Sequence, residues 1–212
     1  MERQNFENKK LIVIVLAIFY LVGIFIHLNS VFSILLKILT PLFLLMSSAL
    51  VIFEEKPSKQ FLIWISLSYL ITLVIEIIGV KTGLIFGSYS YGKNLGVKLF
   101  DVPLIIGLNW VVLILASIGF VEKINTSIYL KSFLVGIIMV VFDLLLEMSA
   151  PRLDYWVFDE EIVPVQNFLL WFIISYALSY FYFNFKVERS FVVARFNLLF
   201  QFIFFLLIVL MK

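Results

Sequence analysis

Three carboxylates stand inside or at the ends of strongly apolar runs: Glu76, Asp143 and Glu147. An ionisable group in such a run is expensive to keep, so each is a functional candidate by default. Asp143 and Glu147 are four residues apart and therefore share one face of a helix. Two carboxyls so placed can hold one proton between them, which is how a carboxylic acid stays able to donate. Glu76 taken alone is equally consistent with a solvated group at a helix end. The absence of cysteine and the single histidine, His27, remove thiol nucleophiles, disulfides and nearly every zinc constellation. The chemistry on offer is acid–base chemistry, with no metal and no cofactor expected.

The elements that must position these acids are hydrophobic helices. The chain has 212 residues, 63% of them hydrophobic and 14% charged, against about 25% charged in an ordinary soluble domain. Apolar runs and their breakers predict seven spans, at 11–29, 33–53, 61–78, 102–121, 128–148, 164–185 and 191–211. The expectation is an all-α, polytopic membrane bundle, a single domain over 1–212. The first run is read as a retained helix, because no small-residue cleavage site follows it. The net charge of +2 comes without a basic tract suited to nucleic acid.

Parity then orders the molecule. With seven spans the two longer connections, 79–101 and 149–163, fall on one membrane face, and Glu76, Asp143 and Glu147 lie near it. Asn109-Trp110 and Asn167 with Trp171 enter their spans from the same face. Tryptophan at a membrane surface is commonly a belt anchor, and asparagine in a bundle commonly joins helices. The convergence of five stretches on one leaflet is what points to a site. His27 and Lys37 fall toward that leaflet too, and read as interfacial or snorkelling groups. Lysine and arginine divide ten to six in favour of the face that carries the amino terminus. That division predicts a cytoplasmic amino terminus in the cell (inner) membrane.

The connection 79–101 places glycines at 79, 83, 87 and 92 among Phe86, Tyr89 and Tyr91. It has no GxGxxG and no Gly-Lys-Ser/Thr, so an aromatic lid over the acids fits better than a phosphate cradle. The second connection carries Tyr155, Trp156 and Phe158, a second flap, and then Asp159-Glu160-Glu161, read as solvated.

In these blocks the chain resembles the carotenoid biosynthesis membrane protein family, which includes carotenoid 1,2-hydratases and bisanhydrobacterioruberin hydratases. The resemblance runs from Glu76-Ile-Ile-Gly79 through Gly83, Phe86-Gly87, Tyr89 and Tyr91 to Leu95-Gly96, Val102-Pro103-Leu104 and Asn109-Trp110. It resumes at Asp143-Leu-Leu-Leu-Glu147, Tyr155-Trp156 and Val163-Pro164-Val-Gln-Asn167-Phe168-Leu-Leu-Trp171. Three positions depart from the family pattern: Glu147-Met148 stands for Asp-Pro, Leu170 for glycine, and Phe158 for a common tryptophan.

The resemblance implies addition of water across the terminal C1=C2 double bond of an acyclic carotenoid end group. Asp143 is the expected proton donor, with Glu147 or Glu76 orienting water or taking the proton back. Tyr89, Tyr91, Asn109, Trp110, Trp156, Asn167, Phe168 and Trp171 are the expected substrate contacts, with π faces suited to a carbocation. The partners are then a membrane-embedded carotenoid arriving from the lipid bilayer, and water. Two other classes compete: another membrane isoprenoid-lipid enzyme, which wants more clustered acids and basic partners for a diphosphate, and a proton-coupled transporter, which usually shows an internal repeat and broken helices.

Overall fold

The computed structural model describes residues 2–160, 162–185, 187 and 189–211, without the side chains of residues 2–6, 30 and 33. Of the cations counted by face, the side chain of Arg3 and all of Lys186 and Lys212 lie outside that description, as does Glu161. Among the described residues there are seven α-helices: α1 (Glu2–Leu28), α2 (Ser33–Ile52), α3 (Lys59–Thr82), α4 (Leu104–Val121), α5 (Ile128–Ser149), α6 (Val165–Asn184) and α7 (Val192–Met211). The fold is an all-α bundle. Among the described residues six of these helices are long and apolar enough to cross a membrane. The remaining helix is α6, where Gln166, Asn167, Ser175, Ser179 and three tyrosines lower the hydropathy.

Local chemistry explains the ends. Ser58 caps α3 by accepting from the Phe61 N–H at 3.2 Å, and Ser127 caps α5 by accepting from the Leu130 N–H at 3.3 Å. Gly83 closes α3 in the left-handed region (φ 67°), and its N–H bonds the Gly79 carbonyl. Helix α3 therefore runs past the predicted residue 78, and Glu76 sits within it, not at its end.

Helix α4 is the axis of the molecule. From Trp110 to Gly119 every residue is buried, as expected of a helix that is apolar on all sides. The other helices pack around it and around one another, α5 along α6, α1 along α7 and α2, and α3 against α4. At Gly136 a side chain would collide with the Phe172 ring, so the missing side chain lets α5 and α6 approach closely. Trp64 on α3 donates to the Leu178 carbonyl of α6 at 2.9 Å. Outward faces are large and apolar, among them Leu21, Ile34, Val74 and Leu210, which is a surface for lipid and not for water.

Among the described residues four short strands lie in the connections. β1 (Tyr89–Tyr91) pairs antiparallel with β4 (Trp156–Phe158), placing Tyr89 opposite Phe158 and Tyr91 opposite Trp156; β2 (Lys98–Leu99) pairs with β3 (Val102–Pro103). The two flaps expected from sequence are thus one ladder, and the two long connections share one end of the bundle, as parity required. Gly92 seats against the Asp154 backbone with no room for a side chain, while its N–H donates to the Tyr155 carbonyl at 2.8 Å.

Candidate functional site

Under that ladder, α3, α4, α5 and α6 enclose a small cavity of about 30 Å³. Glu76, Glu147, Asn109, Asn167, Trp110, Trp171, Tyr89, Tyr91 and Trp156 line it, together with Phe86, Ile106, Leu146 and Phe158. That volume admits roughly two water molecules and no more.

The two cavity glutamates are held differently. Glu76, only 5% exposed, accepts on Oε2 from the Tyr89 hydroxyl at 2.5 Å and the Tyr91 hydroxyl at 2.7 Å. Its Oε1 accepts from the indole N–H of Trp110 at 2.7 Å. Burial, and then the neighbouring Glu76 carboxylate, push both tyrosine hydroxyls well above their ordinary pKa, so both stay protonated. Glu76 is therefore surrounded by donors. Glu147 accepts on Oε2 from the Trp156 indole at 2.9 Å, and on Oε1 from the Asn167 amide at 3.3 Å.

Asp143 lies one turn deeper, fully buried. The same Asn167 amide nitrogen donates to its Oδ2 at 2.7 Å, and its Oδ1 is buried with no hydrogen-bond partner. One amide thus joins two acids, as the four-residue spacing on α5 allows. Asn167 reaches them because Pro164 opens α6 in an extended conformation at the same end of the bundle.

Aromatic rings wall the space. Trp110 and Trp171 stack with centroids 4.0 Å apart. Tyr91 meets Trp156 edge-on at 5.9 Å, and Tyr89 lies 5.3 Å from Phe158. A space lined by two carboxyls and by aromatic π faces can transfer a proton and accommodate a developing cation.

The comparisons with known proteins now bear on this geometry. The sequence profile of carotenoid biosynthesis proteins matches residues 28–212. The chain belongs to that family. It is similar to the bisanhydrobacterioruberin hydratase of Haloarcula japonica, 30% identical over 129 residues that make up 55% of this chain and 42% of the relative. The chain therefore matches less than half the length of that protein. No solved structure matches the chain.

For a carotenoid biosynthesis protein the placement of the expected residues is informative. Glu76, Glu147, Tyr89, Tyr91, Asn109, Trp110, Trp156, Asn167 and Trp171 meet at one cavity. Asp143 and Phe168 are not in its wall; Asp143 sits behind Asn167, and Phe168 is half-buried beside it in sequence but turned elsewhere. Four wall residues were not singled out as contacts. Phe158 was read as part of the second flap, and Ile106 precedes Trp110 by four in a helix, so each had a signal. Phe86 was read in the aromatic lid, while Leu146 carried no signal beyond its neighbours. Arg152, a conceivable phosphate partner, donates instead to the Val209 carbonyl at the end of α7 at 2.7 Å.

Proposed function

We propose that this chain hydrates the terminal C1=C2 double bond of an acyclic carotenoid end group. The observation that carries the reading is a pair of glutamates, each held by its own set of donors, that line one aromatic cavity. Glu147 and Asp143, joined by Asn167, share a proton. Because Glu147 lines the cavity and Asp143 does not, delivery of that proton is assigned to Glu147, with Asp143 behind it as a positioning residue.

The π pair of C1=C2 takes the proton from Glu147 at C2, leaving a tertiary cation at C1. The Glu76 carboxylate, held by three donors, stands as the fixed negative charge toward that cation, and the indole faces of Trp110 and Trp171 share in stabilising it. Water adds through oxygen to C1, and the proton it loses returns to Glu147. Atoms and charge balance: one alkene and one water give one tertiary alcohol, and both carboxyls are restored.

A cavity that holds only a water or two must widen to admit a branched end group. The ladder of β1 and β4 forms its roof, so separation of these strands is the opening motion. The hydrocarbon chain arrives sideways from the bilayer, in keeping with the apolar outer faces. We place the amino terminus in the cytoplasm of the cell membrane on the charge bias, and treat 1–212 as one membrane domain.

The test is pigment analysis in a host that makes lycopene or another open-ended carotenoid. The native chain yields a product heavier by one water. Glu147→Gln yields none, while Asp143→Asn retains a reduced amount. Full activity in Glu147→Gln would remove the assigned donor; no hydrated product from folded native protein, across several open-ended substrates, would remove the reaction.

A further inference from the structure

Beside the carboxylate cavity lies a larger one, of about 380 Å³, within the range of about 300–1,000 Å³ usual for ligand pockets. Helices α1, α2 and α7 form it, with Tyr155 at one end. Its mouth is made by Ile18, Val22 and Leu42, each about half exposed on the lipid-facing surface, so it opens sideways into the bilayer. Its walls are the rings of Tyr20, Phe43, Phe204 and Phe205. Among the described lining residues there is no Lys, Arg, Asp or Glu, which leaves no fixed charge to pair with a phosphate or carboxylate head group.

The exposed lining is almost wholly apolar, and one polar side chain is buried in the inner wall behind it. Gln201 on α7 lines the cavity, is only 3% exposed, and its Oε1 is buried without a hydrogen-bond partner. Nearby the Tyr20 hydroxyl is already committed, donating to Asn197 Oδ1 at 3.0 Å. His27 uses Nδ1 on the Gly23 carbonyl at 2.8 Å and turns Nε2 to Thr40 at 3.4 Å. A buried amide oxygen without a donor is a cost that an entering hydroxyl removes, and that an acyl chain leaves in place. Tyr155 lines this pocket and Trp156 the other, so adjacent residues set the two cavities side by side.

We infer that this second pocket holds the hydroxyl-bearing end of an uncharged isoprenoid chain, its hydroxyl donating to Gln201. The inference rests on the proposed hydration only for where such a hydroxyl comes from, since that reaction places one on an apolar chain. The pocket is then a holding site for a hydroxylated isoprenoid on the membrane side of the reaction cavity.

The experiment is equilibrium binding to the full chain, purified and placed in lipid nanodiscs. The probes are radiolabelled geranylgeraniol, the matching hydrocarbon without a hydroxyl, and oleyl alcohol. Geranylgeraniol binds at least tenfold more tightly than either competitor. Gln201→Leu erases its advantage over the hydrocarbon while hydrocarbon binding persists. Gly23→Leu, whose Cβ would start 3.7 Å from the Phe204 ring and extend into the cavity, blocks all three, as does Val22→Trp at the mouth. Melting temperatures in the same nanodiscs identify any variant that fails to fold. Equal affinity for alcohol and hydrocarbon, or an unchanged Gln201→Leu, overturns the hydroxyl contact. Equal affinity for oleyl alcohol overturns the isoprenoid class. Because the readout is binding, loss of hydration with this selectivity intact would sink the proposed reaction and leave the pocket standing.

Discussion

Glu76 and Glu147 are the same residue type in one cavity, and their neighbours separate their roles. Three donors converge on Glu76, two of them hydroxyls that stay protonated. Replacing it by glutamine keeps the shape, loses the charge and turns an NH₂ toward those donors. We expect Glu76→Gln to lower hydration by about 100-fold, the scale seen when one preorganised electrostatic contact is removed. Product yield normalised to folded membrane protein checks it, and activity within a factor of two of native would refute a charge role. Asn167 is a different case. Its amide joins Asp143 to Glu147, so Asn167→Leu strands two buried acids and costs about 1–3 kcal/mol of stability. A denaturation series in mild detergent measures this, and Asn167→Gln, with a longer reach, should not restore it. At this scale the sequence was legible in part. The spacing of Asp143 and Glu147 announced a shared face, but which of them meets the cavity depends on the rotation of α5 against α6. No periodicity states that rotation.

Helix ends carry the next set of consequences. Glu54, 6% exposed, accepts from the Val192 N–H at 3.1 Å, the Val193 N–H at 3.2 Å and the Ser190 hydroxyl at 2.7 Å. A carboxylate at a helix start satisfies orphan donors and complements the dipole, so Glu54 ties α7 to the end of α2. Glu54→Ala should cost about 1–2 kcal/mol, read as a lower melting temperature with little change in the helical circular-dichroism signal before melting. Its neighbour Glu55 gives the assembly a pH dependence. Burial alone would push that carboxyl up, but the Lys9 ammonium and the Ser190 N–H hold it below its ordinary value. A depressed carboxyl contributes stability above its unfolded pKa of about 4.3, and the contribution is lost as pH falls through the lower folded value. Melting temperature should therefore drop on acidification below about pH 4, and the drop should shrink in Glu55→Gln. The helices themselves were easy to read, since apolar runs begin just after Ser58, Ser127 and Pro164, residues suited to a helix start. Where a glycine follows a run the reading stopped the helix early, as at Gly79 in α3, which continues to Thr82. The strands were not readable at all. Three residues are too few to show a period of two, and β1 and β4 exist because they find each other.

For the whole molecule, parity did more than hydropathy. It placed both long connections at one end before any contact was known, and the β1–β4 ladder fulfils that requirement. The native chain has no cysteine, so single introduced thiols map the faces without background. Lys93→Cys and Glu160→Cys, both exposed, should react with a membrane-impermeant maleimide from one side. Lys56→Cys and Lys123→Cys, also exposed, should react only from the other. If the proposed orientation holds, the second pair is cytoplasmic; labelling of Lys93→Cys and Lys123→Cys from a common side would break the seven-helix topology.

The amide of Asn167 has a further consequence, in the order of synthesis. Asp143 and Glu147 leave the ribosome with α5, and their partner follows only after the connection 150–164. For that interval the growing chain carries two acids in an apolar helix with nothing to receive them. Helix α6, the one of the seven that falls short of the length and apolarity needed to cross a membrane, has the weaker claim on the bilayer by itself, and its polar face is what α5 lacks. Each helix supplies the other's reason to stay. The two are therefore a single parcel of membrane insertion, and a chain whose α6 fails to enter exposes a pair of acids by which the cell's quality control can recognise it.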